Sequence, residues 1–288
     1  MQLEAFWQQN VLRLIWVWCL ASVIIRPGWL VFGLGWPVWV LLMYWTAPAV
    51  FWNVIAVLNP KPDKAERYLK KSLAARPLIA QPYISLGYQL TRQKRWAEAA
   101  PVLEEALSRF TGKFTSQLKL YLALVRRELG DLQSALALLE ELQAQGEKSL
   151  ALYMNLAIVN HRLQQYPEAL AAAEKARSAD LASPQPVLIA GRIHFDTGDY
   201  EAACNDYQWA VNHLSWPVET FYWLGRAKLE LGQIEAAVED LRKAVERIEE
   251  EPTLSDVTLE EAQSWLAKAE ATLETGSESG AVSEPETE

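Results

Sequence analysis

The sequence predicts an all-α fold, a solenoid of helix-turn-helix repeats preceded by two N-terminal transmembrane helices. Two observations support this prediction. Alanines recur at intervals of 34 or 36 residues along most of the chain, as in proteins built from stacked helix pairs. Two apolar runs lie near the beginning of the chain, and the second, from Trp29 to Trp45, contains no charged residue. A helical run of this length approaches the thickness of a bilayer.

The first 46 residues are expected to form a transmembrane hairpin, with spans at about 8–25 and 29–45. Arg26-Pro27-Gly28 makes a charged turn between the two apolar runs. Seventeen helical residues would span about 26 Å, close to the hydrocarbon core of about 30 Å. Three other interpretations stay open: a cleaved signal peptide, a single span with a re-entrant first helix, and a soluble core segment.

A basic collar follows the second apolar run. Residues 1–60 carry a net charge of +1 and residues 61–77 carry +4. Since the net charge of the whole chain is −9, the other 211 residues carry −14. The positive-inside rule then places the collar on the cytoplasmic side, or its stromal equivalent, of an integral membrane protein. The same cations could hold anionic membrane lipid. The collar residues are Lys61, Lys64, Arg67, Lys70 and Lys71.

The strongest signal in the chain is an internal repeat that begins near residue 65. A small residue in the second helix of each repeat is expected to fit where neighbouring helices cross, and a Gly-Asp or Gly-Gln step is expected to end the first helix. The recurring small residues are Ala65, Ala99, Ala135, Ala169, Ala203 and Ala237. Seven residues later come Ser72, Ala106, Leu142, Ala176, Ala210 and Ala244.

This pattern resembles the tetratricopeptide repeat (TPR) family, of the membrane-anchored type with an N-terminal hydrophobic hairpin. The matching stretches include "LKLYLALVRRELGDLQSALALLEEL" and "FYWLGRAKLELGQIEAAVEDLRKAV", and the resemblance covers roughly residues 60–252. It implies a right-handed TPR solenoid with a concave groove lined by the first helices. The implied segments are an incomplete first repeat with the collar in 47–79, five repeats in 80–252, a capping helix in 253–274 and a disordered acidic tail in 275–288.

In this family, positions 5, 9 and 12 of each first helix point into the groove. Carried over to this chain, they predict a surface that is apolar and aromatic, with three arginines, as interaction hot spots often are. The predicted partner-binding residues are Ile84, Tyr88, Leu120, Leu124, Arg127, Met154, Ile158, His161, Leu188, Arg192, Phe195, Tyr222 and Arg226. Members that hold a chaperone's C-terminal carboxylate use Lys and Asn where this chain has Ile84 and Tyr88, so that role is not expected.

The composition argues against several other functions. The net charge of −9 lacks the cationic footprint of a nucleic-acid-binding protein. Cys19 and Cys204 are too few for a disulfide framework or a zinc site, and the histidines are scattered. The chain has no phosphate-binding loop, nucleophile elbow or zinc-protease motif. We therefore expect no enzyme activity, cofactor, metal ion or small-molecule substrate.

The sequence thus predicts a membrane-anchored scaffold that binds protein partners and supports the assembly or stability of a membrane protein complex, photosynthetic or of an envelope. The alternative is a self-associating organiser, or a structural subunit of a membrane machine. An active site within the hairpin is disfavoured, because only Arg13, Cys19 and Arg26 offer reactive groups there.

Overall fold

The computed structural model describes residues 40–41, 44–45, 47–77, 79–112, 114–214, 218–251 and 257–280, and within these ranges the regular elements are all helices. Proximity of Cα atoms divides the chain into two compact units, Met1–Leu142 and Gln143–Glu288. The helices of the first unit are α1 (Pro48–Val57), α2 (Pro62–Ala74), α3 (Gln81–Arg92), α4 (Trp96–Arg109), α5 (Thr115–Glu128) and α6 (Leu132–Ala144), whose last turn crosses the boundary. Those of the second unit are α7 (Leu150–Arg162), α8 (Tyr166–Ala179), α9 (Gln185–Asp196), α10 (Tyr200–His213), α11 (Val218–Glu230), α12 (Ile234–Glu250) and α13 (Leu259–Gly280).

The predicted hairpin falls almost entirely outside the described residues. All of 8–25 lies outside them, and only residues 40, 41, 44 and 45 of the second span are described. Among the helices that are described, none combines the length and the apolar character needed to cross a bilayer. The apolar helix α1, for example, has 10 residues and is about 15 Å long, half the hydrocarbon thickness. On this finding the prediction of an integral membrane protein, with its body on the cytoplasmic side, is wrong.

In the first unit, α1 to α5 pack consecutively, and α3 also contacts both α1 and α5. The first helices of neighbouring pairs therefore lie side by side. The Ser72 hydroxyl of α2 donates a hydrogen bond to the backbone carbonyl of Ala49 in α1. The segment predicted as an incomplete repeat thus contains a full helix pair, with α1 as its first helix.

The second unit follows the same plan. Each helix from α7 to α13 packs against the next, and the first helices contact one another in the series α7, α9, α11 and α13. Because α13 touches both α11 and α12, it takes the place of the first helix of a further repeat. It begins at Leu259, inside the predicted capping segment, and continues to Gly280, six residues into the predicted tail. Residues 281–288 lie outside the described residues.

The recurring small residues lie at the crossings between helices, as predicted. Ala99, Ala135, Ala169, Ala203 and Ala237 each have 0% of their surface exposed. Close approach also requires small residues on the first helices, which the sequence shows as Leu-Gly or Leu-Ala pairs. At Gly225 of α11, a Cβ atom would lie 2.7 Å from Leu241 Cγ of α12, too close for any side chain without a shift. At this crossing, α11 therefore packs closely against α12.

One turn geometry ends the first helix in five repeats. The residue with positive φ in each turn is followed by a residue whose N–H donates to a carbonyl five residues earlier, as in a Schellman motif. Gly is the residue expected there, because it enters this region without a Cβ clash. The five positions are Lys94, Gly130, Gln164, Gly198 and Gly232. The glycine prediction is confirmed in three turns, whereas two turns hold a longer residue in the same backbone conformation.

Candidate functional site

In the first unit, the predicted groove residues differ in accessibility. Ile84 is buried with 3% exposed and belongs to the core, so it offers no surface to a partner. Tyr88 is 45% exposed, and its ring lies 5.9 Å from that of Tyr121, centroid to centroid. Arg92 lies over the Tyr88 ring at 5.8 Å. Two tyrosines and one arginine therefore lie together on the accessible part of this face.

The remaining predicted residues of the first unit, Leu120, Leu124 and Arg127, are half-buried. Arg127 Nε donates to Glu128 Oε1 at 2.8 Å, so the charge of this arginine is paired on its own helix. Beside Tyr88, a cleft of about 480 Å³ opens between α1, α2 and α3. Val57 and Leu69 line it together with Tyr88, and sequence reasoning had not indicated it.

In the second unit, Met154, Ile158, Leu188 and Phe195 are half-buried on the first helices, as predicted for a surface that is largely apolar. Tyr222 is completely buried, because α13 covers it. Tyr222 is therefore part of the core and is not accessible to a partner, unlike the prediction from the sequence.

Tyr222 links α11 to α13 through its hydroxyl. Tyr222 Oη donates to Glu261 Oε1 at 2.6 Å and accepts from Arg226 Nη1 at 3.3 Å. Burial and the hydrogen bond to Glu261 raise the pKa of Tyr222 to about 12, so the phenol stays protonated. Arg226, one of the predicted partner-binding residues, is thus hydrogen-bonded to a neutral hydroxyl and not directly to a carboxylate.

Cationic side chains and tryptophan rings alternate across α9, α11 and α13. Arg192 lies over the Trp223 ring at 3.7 Å, and Arg226 lies over the same ring at 4.7 Å. Arg226 also lies 4.1 Å from the centroid of Trp265, which Lys268 approaches to 4.3 Å. We call these five side chains the cation–indole row. Each indole ring thus attracts two cations by its quadrupole.

The repeat register explains why the row forms. The stretch "WLGRA" of α11 is echoed by "WLAKA" in α13, so that Trp223 and Trp265 hold equivalent positions. A cation follows each tryptophan by three residues, which places both on one face of the helix. Trp223, Trp265 and Lys268 were absent from the predicted surface, although this internal similarity is visible in the sequence.

The charges of the row are incompletely neutralised. Arg192 Nε donates to Asp196 Oδ2 at 3.2 Å, and the same oxygen lies 2.8 Å from His161 Nε2 of α7. Among the residues that the structure describes, neither Arg226 nor Lys268 forms an ion pair, and Arg226 Nε is buried without a hydrogen-bond partner. Aromatic rings are therefore the main contacts of Arg226 and Lys268, and the row can accept anionic groups.

A second cleft of about 530 Å³ lies between α8, α9 and α10. His194 Nδ1 lies 2.8 Å from Asp206 Oδ2 on its wall. Burial raises the pKa of the Asp206 carboxyl, while the hydrogen bond from His194 opposes this shift. This contact gives His194 a polar partner within the helix packing. Burial likewise raises the pKa of the Cys204 thiol, which disfavours the nucleophilic thiolate.

The side chains of the predicted collar lie on or just before α2 and are exposed. Lys70 Nζ pairs with Glu66 Oε1 at 2.7 Å, and Lys71 Nζ lies 4.4 Å above the Trp52 ring. The contacts described for these side chains do not test their predicted role at a membrane surface, which stays a prediction. In the described ranges, no group of three potential ligands from His, Cys, Asp and Glu could hold a metal ion.

Comparison with known proteins identifies the repeats. Two models described as tetratricopeptide repeat match residues 59–113 and 120–186, and 218–251, which together make up more than half of the chain. The comparison with curated proteins gives no match. Similar solved structures include the APC/C hetero-tetramer Cut9-Hcn1, with 16% identity and a TM-score of 0.65 over 80% of this chain and 45% of that chain.

Two smaller solved structures are similar over nearly their whole length. A thermophilic TPR protein in Thermus thermophilus has 21% identity and a TM-score of 0.53, covering 66% of this chain and 98% of that one. MamA from Desulfovibrio magneticus RS-1, from its residue 41 to the end, has 18% identity and a TM-score of 0.51, covering 57% and 93%. At these identities the likeness shows the fold alone. The chain spans less than half the length of the Cut9-Hcn1 chain that it matches.

Proposed function

Because this chain belongs to the tetratricopeptide repeat family, we propose that it is a non-enzymatic scaffold that binds partner proteins through its first helices. The binding face that we propose lies on α7, α9, α11 and α13 of the second unit. The cation–indole row carries this proposal. It joins the residue types that dominate interface energetics, tryptophan and arginine, on one partly exposed face.

The row is also prepared for binding before a partner arrives. Each cation already rests against an indole face, so fewer rotatable bonds need to be fixed on association. The half-buried Met154 and Ile158 of α7 add apolar surface to the same face. A partner segment with acidic and apolar side chains would fit such a face best.

Two narrower readings from the sequence stay proposals. One is that the partner belongs to a membrane protein complex and that the scaffold supports its assembly or stability. The other is that the chain associates with itself as an organiser. Both concern the identity of the partner, and identifying the bound protein tests them.

The experiment compares two matched substitutions in the full chain. Arg192→Gln removes a cation of the row that pairs with a carboxylate four residues away and is 42% exposed. Lys243→Gln, on the second helix α12, removes a cation that pairs with Glu239 in the same spacing, is 43% exposed and also faces an aromatic ring. Proteins that co-purify with the wild type are quantified for both variants by mass spectrometry.

We expect the amount of at least one co-purifying protein to fall about tenfold with Arg192→Gln and to stay at the wild-type level with Lys243→Gln. Equal retention by both variants would remove the first-helix face as the binding surface. Circular dichroism of both variants checks that the helices are intact, so that a loss of binding is not a loss of folding.

A further inference from the structure

Exposed apolar side chains are concentrated on and just before α1 in the part of the chain that the structure describes. Trp45 is 80% exposed and Leu58, at the end of α1, is 73% exposed. Phe51 and Ile55 precede Leu58 by seven and three residues, so all three lie on one side of α1. The helix contains no charged residue, and its outward side is therefore apolar. A continuous apolar surface of this kind marks a contact with another molecule or with lipid.

Aromatic rings join this apolar side of α1 to α2. The ring of Tyr44 lies 5.3 Å from that of Phe51, centroid to centroid, so the residues before α1 belong to the same surface. Trp52 of α1 is stacked on Tyr68 of α2, with centroids 5.6 Å apart and an interplanar angle of 8°. Indole and phenol rings are typical of the level where hydrocarbon meets lipid headgroups, because each has an apolar body and a polar group.

Exposed cations begin where these rings end. Lys71 Nζ lies 4.4 Å from the centroid of Trp52 and 5.8 Å from that of Tyr68. Lys64 and Arg67 precede Lys71 by seven and four residues, so the three cations share one side of α2. All three are exposed, and none forms an ion pair within the described ranges. The surface is therefore apolar on α1, aromatic at the junction of the helices and cationic on α2.

An anionic lipid surface offers the complementary groups in the same order. Its outer hydrocarbon accepts aliphatic side chains, its headgroup level accepts the rings, and its phosphates attract the cations. A soluble polyanion such as nucleic acid would use the cations and the rings, but it would leave the aliphatic side of α1 in water. Residues 61–77 carry a net charge of +4, whereas the 211 residues after them carry −14. Anionic lipid therefore attracts this part of the chain and repels the rest.

We propose that α1, α2 and the residues just before α1 dock on the surface of a bilayer that contains anionic lipid. Trp45 and Leu58 lie at the boundary of the hydrocarbon, and Lys64, Arg67 and Lys71 lie among the phosphates. This contact requires no membrane span, since α1 is about 15 Å long and the hydrocarbon is about 30 Å thick. It uses the first unit, and it is independent of the partner-binding face proposed on the second unit.

The first test is sedimentation of the full chain with lipid vesicles. One set of vesicles contains phosphatidylcholine alone, and the other contains equal parts of phosphatidylcholine and phosphatidylglycerol. We expect the chain to bind the anionic vesicles at least about tenfold more strongly, and added salt to reduce this preference. Equal binding to both kinds of vesicle, or no binding to either, overturns the proposal.

The second test removes cations in matched pairs. Lys64→Gln with Lys71→Gln removes two cations from the proposed surface. Lys148→Gln with Lys175→Gln removes two exposed cations outside it and changes the net charge equally, and Lys175 also lies over an aromatic ring. We expect binding to anionic vesicles to fall about tenfold in the first pair and less than about twofold in the control. Equal losses in the two pairs overturn this surface as the site.

The third test removes one apolar side chain. We expect Leu58→Ser to weaken binding to anionic vesicles about fivefold, because the leucine no longer enters the hydrocarbon boundary. Leu181→Ser is the control, since Leu181 is similarly exposed but lies outside the surface, and it should bind like the wild type. A loss with the lysine pair but none with Leu58→Ser overturns docking on a bilayer and favours a soluble polyanion such as nucleic acid. Circular dichroism checks that all variants fold, and partner capture that depends on Arg192 is measured separately, so the two proposals fail independently.

Discussion

The guanidinium carbon of Arg226 lies 4.1 Å from the centroid of the Trp265 ring. Arg226 belongs to α11, the first helix of the last complete repeat, whereas Trp265 belongs to α13, which follows that repeat. The contact therefore joins the last helix to the binding face. It makes α13 a contributor to the candidate site as well as a cover for the end of the core.

The contact predicts a measurable loss of stability in Trp265→Ala. The half-buried indole packs with the Tyr222 cluster, so we expect its removal to lower the free energy of unfolding by about 2–3 kcal/mol. Urea unfolding followed by circular dichroism measures this. Leu181→Ala is the control, because Leu181 is 77% exposed and its truncation should cost less than about 0.5 kcal/mol. Equal midpoints for the two variants would contradict the packing role of Trp265.

A second prediction concerns Glu66 and the dependence of stability on pH. Glu66 Oε2 accepts from Arg95 Nη1 at 2.6 Å, and this hydrogen bond, with the nearby Lys70, lowers the pKa of the largely buried carboxyl. A lowered pKa in the folded state means that the contribution is present above the unfolded value of 4.5 and is lost as pH falls through the folded pKa.

Glu66→Gln should therefore lower the free energy of unfolding by about 1–2 kcal/mol at pH 7, and by clearly less at pH 3. Glu98→Gln is the matched control, because Glu98 bonds the same Arg95 but is 52% exposed, and we expect a smaller loss. Denaturant titrations at both pH values give the comparison. An undiminished effect of Glu66→Gln at pH 3 would show that charge is not its cause.

The turn after α7 predicts a stabilising substitution. Gln164 has a φ of 61°, a conformation that costs an L-residue about 1 kcal/mol and costs glycine little. We expect Gln164→Gly to raise the free energy of unfolding by about 0.5 kcal/mol after the greater flexibility of unfolded glycine is counted. Ala171→Gly, at an exposed position inside α8, should act in the opposite direction, since glycine costs about 1 kcal/mol relative to alanine in a helix interior. Thermal unfolding measures the change in stability of both variants. A change of the same sign in both would contradict the conformational cost assigned to Gln164.

The close helix crossing at Gly225 predicts that even one methyl group is harmful there. A Cβ would approach Leu241 Cγ to 2.7 Å and two backbone atoms to 3.1 Å, so Gly225→Ala should cost about 1–3 kcal/mol despite the better helix propensity of alanine. Gly191→Ala meets mainly side-chain atoms, the nearest at 3.1 Å, and should cost less. Melting temperatures in the reverse order would show that α11 and α12 can separate freely.

The recurring alanines and the three turn glycines were predictable because their constraints are local. A small residue at a fixed register meets the neighbouring helix in every repeat, and Gly198 or Gly232 is favoured wherever the backbone turns with positive φ. The same sequence logic gave a wrong localisation, because apolar runs alone do not distinguish a membrane span from other uses of apolar surface. The Lys94 and Gln164 turns show that the fold imposes this conformation even without glycine.

By itself, the sequence determined the repeat, its helix pairs and the face on which Arg192 and Arg226 stand, since helical spacing fixes which residues share a side. Tertiary structure alone decided how deep each residue lies and which cation meets which ring. Ile84 and Tyr222 stand on the predicted face but are buried, because the neighbouring helices cover them. Trp265 reaches Arg226 only because α13 packs where the next first helix would lie, and that depends on contacts between elements distant in sequence.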